Sequence, residues 1–387
     1  MHTAQDAPPC KPEHTEMTDY KQYTEEAARL LMRLIETPRV SRDEAAAADI
    51  MQRWMEERGL TPCRIGNNIV AVAPGYDPGR ETVMLNAHID TVKPVASWTR
   101  DPHKAEIIGD KLYGIGSNDC GGGLVALLQT FRMLREKECG RGFNLVYIAS
   151  AEEEVSGAGG LTKVIPLLGE IIPGFNMQTD RSRPELFAHP GLAIVGEPTG
   201  MQPAVAEKGL MVVDMTAHGV SGHAARDNGV NAIYKALDDI QWIRDYKFKK
   251  ISELLGPTKM TLTVINAGTQ HNVVPDECRM VIDIRTNERY TNEEVFDIIQ
   301  RHVSCEVKAR SFRLSSSSTP LSHPIVSRCI DEGMTPFGSP TLSDQALMPW
   351  PSLKLGPGDS ARSHSADEYI CLSEIDNAIR TYMRILS

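Results

Sequence analysis

The chain has 387 residues, more than one ordinary hydrophobic core serves, so about two domains are expected. Its apolar content of 41% and charged content of 24% are those of a globular protein. The net charge of -10 and the lack of any basic run argue against a nucleic-acid binder, and no stretch is long and apolar enough to span a membrane.

Met1 to about Thr18 is polar, carries Pro8, Pro9 and Pro12, and lacks the apolar core of a signal peptide. Thr24-Glu25-Glu26 opens a helix with Ala28, Leu30, Leu31, Leu34 and Ile35 at helical spacing, ended by Pro38. Ser41 with Glu44 has the form of a capping box before a second helix through Met51, Trp54 and Met55, closed by Gly59. Strands follow at 68–72 and 82–85, the latter running directly into His88-Ile89-Asp90. Residues 110–116 read as a short strand before Asp119 and a glycine run. Next come a helix with Leu124, Leu127, Leu128, Phe131 and Leu134, and an apolar strand over 143–149 that stops at Glu152-Glu153-Glu154. Residues 158–168 read as helix, and 192–195 as a strand ending in Gly196-Glu197-Pro198-Thr199.

From Glu207 the texture changes. Residues 210–216, 259–266 and 277–286 alternate as half-exposed strands do, with helices around 231–246 and from Asn292, and residues 315–318 form a serine run of linker type. The tail returns to α/β texture, with a strand at 352–356 and a last helix from Ser373. The expected architecture is α/β: a mixed sheet in a discontinuous larger domain (1–206 and 316–387), with an inserted α+β domain at 207–315. Eight scattered cysteines (Cys10, Cys63, Cys120, Cys139, Cys278, Cys305, Cys329, Cys371) without C-x-x-C spacing fit reduced thiols in a cytoplasm.

Positions two apart on a strand share a side, so His88 and Asp90 fit a metal ligand and the acid that fixes its tautomer. Each of His88, Asp119, Glu153, Glu154, Glu197 and His364 is unremarkable alone. Together they form a nitrogen and oxygen donor set for zinc, cobalt or manganese. The set exceeds what one ion needs; a carboxylate bridging two ions about 3.5–4 Å apart would use it, leaving a spare acid as general base.

These motifs, together with His364-Ser365-Ala366-Asp367-Glu368-Tyr369, Asn272-Val273-Val274-Pro275 and Asp283-Ile284-Arg285, resemble the M20 metallopeptidase family. The likeness is greatest to its acetylornithine deacetylase and succinyl-diaminopimelate desuccinylase branch. It implies a metallo-aminopeptidase-like catalytic domain with an inserted ferredoxin-like lid and dimerisation domain. It further implies two Zn2+ ions, with Co2+ or Mn2+ as alternatives. His88 and Glu197 would hold one, Glu154 and His364 the other, and Asp119 would bridge them. Asp90 would support His88, and Glu153 would be the general base, with Glu152 as its rival. The peptide after Asp119 would be cis.

By the same resemblance, His223 would reach a partner subunit's site in a homodimer and stabilise an oxyanion, and Arg285, Asn272 and Lys208 would bind substrate. The bland alternatives are a surface histidine in a glycine turn for His223 and a strand-face ion pair for Arg285. The branch implies deacylation of a small N-acyl amino acid, N2-acetylornithine in arginine synthesis first among them. An N-succinyl substrate, a dipeptide, or a non-catalytic binding role on the same fold are the alternatives. Cys120 departs from the family's usual residues after the bridging Asp, which leaves the acyl group open.

Overall fold

The computed structural model describes residues 16–136, 142–172 and 191–387; Cys10, Cys139 and residues 1–15 of the polar N-terminal stretch lie outside them. The chain divides into two compact units, 1–205 with 319–336 and 343–387, and 206–318 with 337–342. Residues 206, 316–318 and 337–342, assigned from sequence to the larger domain, cluster with the second unit.

The first unit is built on a mixed sheet whose strands run in the order Cys63–Ile65, Asn68–Val72, Asn144–Ser150, Thr82–His88, Leu192–Val195, Ser352–Lys354. The last four are mutually parallel. Every residue of Thr82–His88 and Asn144–Ser150 is buried, because both sheet faces are covered. Alternation assigns the faces. Val83, Leu85 and Ala87 pack with Leu30, Met51, Leu127 and Ile379 of the helices Glu16–Ile35, Ala45–Glu56, Gly122–Glu136 and Leu372–Leu386. Met84 packs on the other face with Val146, Ala193, Leu161 and Val164.

Register then fixes one edge of the sheet as special. His88 lies opposite Ser150, and Asn86 opposite Val195, so three parallel strands stop together and release their following residues at one end. The Gly122–Glu136 helix begins against that same edge. A Cβ on Gly123 would lie 1.7 Å from the Gly196 carbonyl oxygen, so the two backbones touch where only glycine fits.

Local readings differ from the structure in five places. The first helix begins at Glu16 rather than Thr24, whose hydroxyl donates to Asp376 (2.9 Å) instead of capping. The Ser41–Glu44 capping box does not form: Ser41 donates to Asp90, and Glu44 accepts from the Arg42 amide. The strand read over 110–116 is only Lys111–Tyr113 and belongs to a separate three-stranded sheet. The helix read over 158–168 breaks into Leu161–Val164, a tighter turn at Ile165–Leu167 containing Pro166, and Leu168–Ile171. The serine run is not a free linker, because Ser317–Ser318 pairs with Glu207 and Ala206.

The second unit is a four-stranded antiparallel sheet in the order Lys259–Ala267, Glu277–Thr286, Gly209–His218, Glu306–Ala309. The helices Ala232–Asp245 and Asn292–His302 share its apolar face through Ala236, Ile243, Val295 and Ile299. Thr291 and Glu294 form the capping box of the second helix.

Replacing Gly123 by Ala must push the helix off the Gly196 strand end. Overpacking of this kind costs about 1–3 kcal/mol, and Gly123→Ala is expected to lower the urea midpoint accordingly. An unchanged midpoint would contradict the close approach.

Candidate metal centre

His88 ends its strand with an imidazole only 1% exposed. Its Nδ1 lies 3.0 Å from the Asp90 carbonyl oxygen and 3.5 Å from the Asp90 carboxylate. Sequence reasoning gave the carboxylate this role; the carbonyl is the nearer partner. The carboxylate instead accepts the Ser41 hydroxyl (2.7 Å) and the amides of Glu153 (3.1 Å) and Glu154 (3.2 Å). Asp90 thereby fixes the turn that carries both glutamates.

The His88 Nε2 faces acids: Asp119 at 3.3 Å, Glu197 at 3.8 Å and Glu153 at 3.9 Å. His364 Nε2 lies 2.9 Å from Glu154 and 3.6 Å from Asp119. The two contacts on Asp119 use different oxygens, Oδ1 toward His88 and Oδ2 toward His364, so this carboxylate stands between two imidazoles. Glu152 turns away; its carboxylate accepts the Gly159 amide (3.2 Å).

Asp119 does not end a core strand. It comes from the 117–121 turn before the Gly122–Glu136 helix, and the Asp119–Cys120 peptide is cis. Two buried residues to which sequence reasoning assigned no role brace this turn. Glu368 accepts the amides of Gly116 (2.9 Å), Asn118 (2.8 Å) and Asp119 (2.9 Å). Arg39 donates to the carbonyls of Ile89 (2.6 Å) and Gly116 (2.9 Å), joining the His88 strand end to the same turn. Asp344, also passed over, is buried and accepts the Ser150 hydroxyl under the Glu153 turn. Its only sequence signal was an acid after the Thr341-Leu342-Ser343 stretch.

The cluster is electrostatically loaded. Burial foremost, then Asp119, pushes the Glu197 carboxyl up to about 8. Burial raises Glu153 well above the carboxylate range; His88 opposes this, while Glu197 and Asp344 add to it. The hydrogen bond to Glu154 lifts His364 to about 9. Burial works against a charged His88, yet Cys120, Asp119 and Asp90 leave its pKa well above the ordinary value. Glu197 Oε1 is buried and has no hydrogen-bond partner among the described residues. Carboxyl groups crowded out of water around an unpartnered oxygen suit a bound cation. Two groups of donors could hold one, His88 with Asp119 and Glu154, and His88 with Cys120 and Glu197, the ligand atoms of each group lying within 4.8 Å of one another.

The remaining candidates lie in the second unit. Gly222–His223 pairs with Val273–Val274, which sets Asn272 beside Ala224 (amide to carbonyl, 3.0 Å). His223 and Asn272 are exposed, and the His223 Nδ1 accepts the Ala225 amide (3.1 Å). Arg285 forks onto Asp283 at 2.9 and 3.1 Å, the strand-face ion pair named as its alternative. Lys208 donates to the Pro257 carbonyl (3.0 Å).

A family model described as peptidase family M20/M25/M40 matches residues 84–387. The chain belongs to this family. As an M20 protein it is a hydrolase acting on amide bonds. It is 26% identical over 396 residues to a succinyl-diaminopimelate desuccinylase 2 of Ruegeria sp., covering 94% of this chain and 95% of that one. It is also 26% identical to an acetylornithine deacetylase of Proteus mirabilis, covering 90% and 92%. Among solved M20-like structures it resembles the aminopeptidase PepT from Bacillus cereus, with TM-score 0.71, 17% identity, and 94% and 98% of the two chains covered. It resembles likewise the YXEP protein of Bacillus subtilis, a dinuclear metal binding peptidase, with TM-score 0.70, 16% identity, and 95% and 98% covered. These two likenesses establish the fold.

The raised carboxyls set a pH dependence for the metal-free protein. An acid whose folded pKa is raised binds more protons folded than unfolded, so stability falls as pH rises between its two pKa values. For Glu197 that window runs from the ordinary carboxyl range to about 8, and His364, raised to about 9, adds a loss of the same sign. The chelated protein is therefore expected to lose thermal stability steadily from about pH 6 to about pH 9, and the metal-loaded protein much less. A midpoint that rises over this interval after chelation would contradict the site's electrostatics.

Proposed function

We propose that the protein removes the acyl group from an N-acylated amino acid, with N2-acetylornithine as first substrate and N-succinylornithine or N-succinyl-diaminopimelate as the runners-up. The observation that carries the reading is the placement of the Asp119 carboxylate between His88 and His364, with Glu153 3.9 Å from the same His88 nitrogen. The names of the curated relatives at 26% identity support the acyl amino acid class.

The residues fit two divalent cations, Zn2+ first, with Co2+ or Mn2+ as alternatives. His88 and Glu197 would hold one, Glu154 and His364 the other, and Asp119 would serve both. When bound, such ions polarise an amide carbonyl and make water more acidic. The protein's own part is proton transfer and orientation. Glu153 takes the proton from the attacking water and delivers it to the leaving amine. Asp90 and Glu368 keep the base and the shared ligand in register through backbone amides. In a homodimer, His223 serves the oxyanion in the site of the second copy, and Arg285, Asn272 and Lys208 contact the substrate, Arg285 exchanging Asp283 for a substrate carboxylate.

The edge strand Lys259–Ala267 supports the dimer. Val264 and Ile265 on it are exposed, as are Tyr234 and Leu237 on the neighbouring helix. Light scattering is expected to give twice the chain mass, and Ile265→Glu to give the monomer. A monomeric parent protein would remove both the dimer and the role of His223.

The activity is tested by hydrolysis of N-acetylornithine and N-succinylornithine in parallel by zinc-loaded protein. Glu153→Gln should lower turnover by roughly 10²–10⁴-fold with both metals still bound. Full activity of the variant would exclude Glu153 as the base; failure of both substrates with two metals bound would redirect the search to dipeptides.

A further inference from the structure

Cys120 is fully buried, and its sulfur lies against the His88 backbone, 3.2 Å from the amide nitrogen and 3.6 Å from the carbonyl oxygen. More telling is what surrounds it. The sulfur, a His88 ring nitrogen and a Glu197 carboxylate oxygen all lie within 4.8 Å of one another. The Glu197 oxygen buried nearby, Oε1, has no hydrogen-bond partner among the described residues. His88 thus stands in two trios, one with Asp119 and Glu154 that offers oxygen, and one with Cys120 and Glu197 that adds sulfur.

We propose that Cys120 is itself a ligand, giving a thiolate to the cation held by His88 and Glu197 and biasing that position toward Zn2+ or Co2+ over Mn2+. The inference rests on the two-cation reading above. Thiolate is the softest donor a protein offers, and it favours zinc and cobalt where carboxylate and water favour manganese. On binding, the sulfur–hydrogen bond breaks, the sulfur–metal bond forms, and the proton leaves to solvent; nothing is oxidised or reduced. The local hydrogen bonding suits the product. The His88 amide already donates to the sulfur and can go on donating to a thiolate, so only the contact with the His88 carbonyl is lost. The two cation positions then differ in kind: one takes sulfur, and the one at Glu154 and His364 takes oxygen and nitrogen only.

The test uses the whole protein, stripped by chelation and reloaded with two equivalents of Co2+. Visible ligand-field bands report that cobalt is held. A near-ultraviolet thiolate-to-cobalt charge-transfer band reports the sulfur, and it is expected in the wild type and absent from Cys120→Ser. In competition titrations, Cys120→Ser should weaken Zn2+ binding by about tenfold or more and leave Mn2+ binding nearly unchanged. Cobalt held without the charge-transfer band in the wild type overturns the proposal and leaves the metal centre standing. The band persisting in Cys120→Ser overturns it equally, since another cysteine is then the donor. Failure to hold cobalt at all overturns both this inference and the two-cation reading. The wild-type spectrum decides the matter even if the variant does not fold.

Discussion

Mutual repulsion among carboxyls crowded largely out of water is the constraint that the catalytic unit is arranged to withstand. Asp119, Glu153 and Glu197 all come within 4 Å of one imidazole nitrogen, and Glu154 is tied to the second histidine. Left to side-chain rotation they would separate into solvent. Two acids that are not themselves in the donor trios prevent this by gripping backbone. Asp90 holds the amides of Glu153 and Glu154, and Glu368 holds three amides around Asp119. Arg39 fastens the His88 strand end to the same turn from below. The parallel register supplies the rest, since it delivers His88, the glutamate turn and Glu197 to one edge without any need for long loops.

Much of this was legible because a histidine or an acid appears where an apolar run stops. Val83 to Leu85 into His88, Leu145 to Ile148 into the glutamates, and Leu192 to Val195 into Glu197 are all of this form, and in the structure each is a buried strand that stops at the shared edge. Asp119 was placed at a strand end in error, because Lys111–Tyr113 is short and belongs to another sheet. Its true setting is a turn whose geometry comes from glycines and from Glu368, 249 residues later. Arg39 and Asp344 escaped notice, and Glu368 stood in a motif without a role, for one physical reason. A side chain that bonds a group far away in sequence leaves no periodicity. Ser41 and Glu44 show the opposite hazard: the four-residue spacing of a capping box is present, but both side chains are drawn to stronger partners elsewhere.

The second unit was easier to read as a fold than as a site. The strand Gly209–His218 alternates buried with outward residues along its whole length, and one helix face from each of two helices fills the apolar side. Alternation says which residues meet the core and nothing about what the outward ones do. Arg285 is an outward residue, and in this structure it is satisfied by Asp283 two positions away.

The spread of the donors along the chain would give metal uptake a direction in time. The trio of His88, Cys120 and Glu197 is complete once the chain has been made to residue 197, whereas His364 lies near the C-terminus. Between them come the whole inserted unit and the strand Ser352–Lys354 that pairs beside Leu192–Val195. On a chain emerging from the ribosome, the donors of one position therefore all exist before the other has its histidine. On the two-cation reading the halves of the site mature in sequence, and a chain truncated before His364 keeps the donors of one position while the other lacks its histidine.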